Sequence, residues 1–212
     1  MNLNQCKLKI VVLAAVFSGC VTGLNSQMST RQATAATDSG NPSQSIAQAV
    51  TRFENNLMAM AVAMPSDKYN FAPTKELFKS GSPAEFATVR TFADQLTHVS
   101  GEPFRLLAPF GVAPDTGVDP KSFASLTAKD DIIKALKASF DYQNKVIATI
   151  TPQNALVPAG QSGATLVSSL ISILNDDGDH YGQMVEYMRM NGLIPPATLN
   201  QPVRMPAPPA PK

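Results

Sequence analysis

The sequence predicts an all-α protein, a four-helix bundle with long crossover connections. Three observations lead there. Four segments carry apolar residues at three- and four-residue steps, none shows the alternation of a half-buried strand, and two of the three connections are long. A helix advances about 100° per residue, so residues at such steps share one face and bury it together.

The first helix is expected over 45–64. Ile46, Val50, Phe53, Leu57, Met60 or Ala61 and Met64 line one side, and Pro65 stops it. A loop follows over 66–82. The second helix is expected to begin at Ser82 as N-cap with Pro83 in its first turn. Phe86, Val89, Phe92 or Ala93, Leu96 and Val99 form its buried face. Asp94, His98 and Glu102 make a neighbouring stripe, and Gly101 and Pro103 are expected to bend or loosen the helix. The connection 109–126 holds three prolines and two glycines and is long enough to cross a bundle. The third helix is expected from Thr127, with Asp130 completing a capping-box-like pair, and is buried through Ile132, Ile133, Leu136, Phe140, Val146 and Ile147. Pro152 and Gly160 bracket the next loop.

The fourth helix is expected over 165–191, ended by Gly192 and Pro195-Pro196. Its stripe runs through Ile173, Asp176, His180, Met184 and Tyr187 or Met188. Two metal-competent groups, Asp176 and His180, interrupt an otherwise apolar face one turn apart. Asp177 and Asp179 are expected to point to solvent, as is Glu102 on the second helix.

The ends read differently. Lys7 and Lys9 precede an apolar run, Ile10 to Phe17, which has the length of a secretory signal and not of a membrane span. Phe17-Ser18-Gly19-Cys20 resembles a bacterial lipobox, with Phe where Leu is usual. Residues 1–19 are therefore expected to be a signal peptide and Cys20 the lipidated first residue. Ordinary signal-peptidase cleavage nearby and an uncleaved anchor are the alternatives. Residues 20–44 are rich in Ser, Thr, Ala, Gln and Asn and suit a flexible tether. Residues 45–198 form the helical domain, and 199–212 a Pro-rich, extended tail.

Composition narrows the function. The only cysteines are Cys6 and Cys20, so the domain itself has no disulfide, cysteine nucleophile or thiolate metal ligand. Without residues 1–19 the chain has 15 basic against 16 acidic residues and no Lys/Arg cluster, which argues against a nucleic-acid surface. Membrane association is expected only through the lipid anchor. No nucleophile-elbow motif is present.

Two stretches resemble the DinB-like (DinB/YfiT) superfamily of metal-dependent bundle proteins. One is Met64-Pro65-Ser66-Asp67-Lys68-Tyr69-Asn70-Phe71-Ala72-Pro73-Thr74, followed by Arg90-Thr91-Phe92-Ala93-Asp94-Gln95-Leu96-Thr97-His98-Val99. The other runs from His180-Tyr181-Gly182-Gln183-Met184 to Pro195-Pro196. With the helices between, the likeness covers roughly 45–198. It implies a metal site built from one histidine of the second helix and two, four apart, of the fourth. His98 and His180 match the first and last. Asp176 stands where the family has its middle histidine. A two-histidine, one-carboxylate site for zinc, nickel, manganese or iron remains compatible with that change, and so does loss of the metal.

Asp94, one turn before His98, is then expected to hold the other ring nitrogen of that histidine. Known members of the superfamily include thiol-dependent transferases and isomerases, so a small-molecule substrate, with hydrolysis or group transfer at the metal, is one expectation. A non-catalytic envelope binding module without metal is the other.

Overall fold

The computed structural model describes residues 42–77 and 86–199. They belong to one compact unit, Asn41–Lys212. The signal peptide, Cys20, the tether up to Asn41, Ser82-Pro83 and the tail beyond Leu199 lie outside the described residues.

The chain is mostly helical, as expected. Four long helices carry it: α1 (Pro42–Ala63), α2 (Phe92–Leu107), α3 (Lys129–Ile147) and α4 (Leu166–Met190), with a short α5 (Pro196–Leu199) after them. Both α1 and α2 pack against α3 and α4. The core between them is mainly apolar, and Val50, Leu57, Met60, Leu96, Leu107, Ile132 and Met184 are buried in it. No helix among the described residues is long and apolar enough to cross a membrane.

One feature has no counterpart in the sequence reading. Two two-residue strands, β1 (Pro158–Ala159) and β2 (Ala164–Thr165), pair antiparallel in the loop before α4. Gly160 and Gly163, both at φ 66°, allow the chain to reverse between them.

The start of α2 corrects the sequence reading. The helix begins at Phe92, about ten residues after the expected Ser82, and Phe86 and Val89 flank a turn that Val89 N–H closes on Phe86 O at 3.2 Å. Thr91 is the cap. Its Oγ1 accepts from Asp94 N–H, and the Asp94 carboxylate accepts from Thr91 N–H, closing a capping box. Two more first-turn donors are satisfied from the preceding segment: Phe92 N–H bonds to Phe71 O at 2.9 Å and Ala93 N–H to Tyr69 O at 2.8 Å. The Tyr69 side chain is itself fixed, its hydroxyl donating to Ala61 O at 2.6 Å. The segment between α1 and α2 therefore decides where α2 begins.

At its other end α2 runs through Gly101 and Pro103 to Leu107 without interruption. Residue 103 lacks a donor, yet it is buried against the core, which keeps the helix together. The start of α3 also differs. Its cap is Ala128, not Thr127, and no side chain caps it. Lys129 reaches across instead, its Nζ donating to Val62 O and Met64 O at 2.7 Å each. A cation thereby satisfies carbonyls at the C-terminal end of α1.

The fourth helix matches expectation closely. Thr165 and Ser168 form a capping box at its start. At its end Leu193 N–H bonds to Met188 O and Gly192 N–H to Arg189 O, each at 2.9 Å, with Gly192 at φ 73°. This is a Schellman stop, which requires a left-handed residue and finds glycine there.

Candidate metal centre

The faces of α2 and α4 meet with opposite chain directions. Gln95 touches Gln183 and Tyr187, while His98 meets Asp176 and His180. Three of the residues named from sequence come together there. His98 Nε2 is 3.5 Å from Asp176 Oδ2, and His180 Nε2 is 3.4 Å from Asp176 Oδ1. The two imidazoles meet edge to face with centroids 4.7 Å apart. One donor atom from each of the three residues lies within 4.8 Å of the others.

These separations suit a cation. Bonds of about 2.0–2.2 Å at an open angle require donors about 3–3.5 Å apart. One oxygen of the carboxylate already stands at about that distance from each ring, and the whole set lies within 4.8 Å, so a bound ion would draw the donors inward. Asp176 Oδ2 is enclosed and accepts no hydrogen bond. A buried acceptor without a partner is costly unless something electropositive fills the space. The donor set of two imidazoles and one carboxylate fits zinc, nickel, manganese or iron. His180 is buried, whereas the side chains of His98 and Asp176 are about one-third exposed, so the centre opens to solvent on their side.

The electrostatics favour ligation by His180. Burial pushes its pKa down, against the opposing pull of the Asp176 carboxylate, and His98 and Arg90 push the same way as burial. A neutral imidazole is the form that binds a metal.

Two expected roles change. Asp94 does not stand behind His98. Its carboxylate turns back to Thr91, accepting from the backbone N–H at 3.2 Å and from Oγ1 at 2.7 Å. A residue three positions into a helix serves the helix terminus first, because the orphan donors there are closer than any side chain one turn on. The residue that holds a candidate ligand is Gln95, to which the sequence pattern assigned no role. Its Oε1 is hydrogen-bonded to His180 Nδ1, and its Nε2 donates to Gln183 Oε1 at 2.7 Å. Gln95 is buried among Phe92, Leu96 and Val99 on the apolar face of α2. A polar side chain on that stripe was the available signal.

The other change is Asp177, expected in solvent but only 2% exposed. Its Oδ2 accepts no hydrogen bond. Burial first, then the charges of Asp176 and Glu102, raise its pKa to about 8. Glu102 is itself half-buried, not exposed, and is held by Arg105. Asp179 is exposed, as expected.

The fold and the site thus define a helical protein with a candidate two-histidine, one-carboxylate centre. Comparison with models of known families gave no match, and comparison with curated proteins gave none.

Proposed function

We propose that this is an exported, DinB-like four-helix-bundle protein that binds one divalent metal through His98, Asp176 and His180. The observation that carries the reading is the convergence of these three side chains from two antiparallel helices. Residues 78 positions apart along the chain meet at ligand distance, and the carboxylate lies between the two Nε2 atoms. Asp176, the departure from the family pattern, takes the place of a ligand and does not turn away.

The metal would supply an open coordination position that activates water or a substrate thiolate. The chain contributes the rest. Gln95 occupies Nδ1 of His180, which leaves Nε2 on the side of Asp176. The exposed sides of His98 and Asp176 leave the centre open to solvent, while the buried His180 and Gln95 close it on the other side. The reaction class that fits is metal-assisted hydrolysis or thiol-dependent transfer on a small molecule. Anchoring through Cys20 would place this centre in the cell envelope at the end of a polar tether. The second reading, a binding module without metal, draws on the same carboxylate, since Asp176 can accept from either imidazole with no ion present.

Metal analysis separates the two. Purified protein reconstituted with zinc, nickel, manganese or iron should hold one ion per chain, and the His98→Ala/His180→Ala variant none. At a free metal concentration of about 100 Kd the ion should add about 2.7 kcal/mol of stability to the wild type only. Wild-type protein that stays metal-free under all four conditions excludes the metal reading and leaves the binding module.

A further inference from the structure

A histidine can ligate through Nε2 only if its proton sits on Nδ1, and which nitrogen carries it depends on the partner of the other. Here that partner is the Gln95 amide, whose two ends have nearly the same shape but opposite roles: Oε1 accepts and NH2 donates. The orientation of one amide therefore biases which nitrogen of His180 is free to bind a metal.

We propose that Asp179, itself outside the three donor residues, sets the tautomer of His180 through two glutamine amides, with Tyr187 as a second anchor. The inference rests on the metal reading for its purpose, but not for its geometry. A carboxylate only accepts, so Gln183, in bonding to the exposed Asp179, turns its Nε2 to Asp179 Oδ2, 2.8 Å away. Gln183 Oε1 then faces Gln95 and must receive, so Gln95 presents Nε2, at 2.7 Å. Gln95 Oε1 is left for His180 Nδ1, which has to be the protonated nitrogen. His180 Nε2 is left with its lone pair, facing the centre.

A second chain ends on another pure acceptor. The Tyr187 hydroxyl donates to Arg90 O at 3.1 Å, so its oxygen can only accept from Gln95 Nε2, 3.5 Å away. Both anchors demand the same orientation of Gln95. They also oppose the alternative that Asp176 offers, an Nε2–H donating to its Oδ1 at 3.4 Å. Gln95 is 1% exposed, so water does not compete for its amide.

The test uses metal-free full-length protein labelled with ¹⁵N in histidine. Long-range proton–nitrogen correlations at a pH where His180 is neutral report which nitrogen is protonated. Wild type and Asp179→Glu, which keeps an acceptor-only group, should show the Nδ1–H form. Asp179→Asn/Tyr187→Phe releases both anchors, since an asparagine can donate as well as accept, and should shift His180 toward the Nε2–H form. Zinc affinity of that variant should fall about tenfold or more, the usual effect of losing the partner that orients a ligand. Circular dichroism establishes that it folds. An Nε2–H form in the wild type, or an unchanged Nδ1–H form in the double variant, overturns the proposal. Absence of zinc binding by the wild type overturns the metal reading instead, and the nitrogen spectra still decide the tautomer.

Discussion

Replacing Asp177 by asparagine should stabilise the metal-free protein, by an amount that depends on pH. The side chain is buried, its Oδ2 has no partner, and its pKa rises from 3.8 to about 8. Between those values the folded chain holds a proton that the unfolded chain has released. Stability therefore falls as pH rises through this window, by about 1.4 kcal/mol per pH unit. From about pH 4 to about pH 7 the loss from this one group is about 4 kcal/mol, and above about pH 8 it levels off. That is a large part of the 5–15 kcal/mol typical of a folded domain.

Asparagine has the same shape and does not titrate. Wild type and Asp177→Asn should be about equally stable near pH 4 and diverge by up to about 4 kcal/mol in favour of the variant near pH 7. His180 contributes a slope of the opposite sign, because its lowered pKa makes the unfolded chain bind more protons below about pH 6.5. That slope is common to both proteins and cancels in the difference. The assay is urea unfolding followed by circular dichroism at a series of pH values with chelator present. The chelator matters because a cation at the adjacent Asp176 would draw the Asp177 pKa down. Parallel stability curves would show that Asp177 does not titrate as a buried acid, and the argument would fail.

Two further outcomes test the helix start and the anchor. Thr91→Ala removes both the Oγ1 acceptor and the Oγ1 donor to Asp94, and should cost about 1 kcal/mol, seen as a fall of about 2–4 °C in Tm; an unchanged Tm would mean that the bonds from Phe71 and Tyr69 alone hold the end of α2. Cys20→Ser should move the protein from the membrane to the soluble fraction of cells, whereas unchanged membrane association would remove the lipid anchor from the reading.

Much of the helical pattern was legible because it is local. The apolar spacing of α1, α3 and α4 requires only that each helix bury one side. The end of α4 was legible for the same reason: Gly192 meets a backbone demand that no neighbouring element has to supply. The His98, Asp176 and His180 set was named by likeness to a family, since spacing within one helix says nothing about a partner 78 positions away.

Tertiary structure decided the rest. Ser82-Pro83 and Thr91 with Asp94 are both sound local starts for α2, but carbonyls of Tyr69 and Phe71 satisfy the first-turn donors of the second. Asp176 and Asp177 fit the stripe from Ile173 to His180 equally well, one step on either side of a helical turn. Only the packing of α4 against its neighbours buried Asp177 and left Asp176 between two imidazoles. Gln95 followed from the same contact. A sequence shows that a polar residue lies on an apolar face, but which buried atom it must satisfy is a property of the helix opposite.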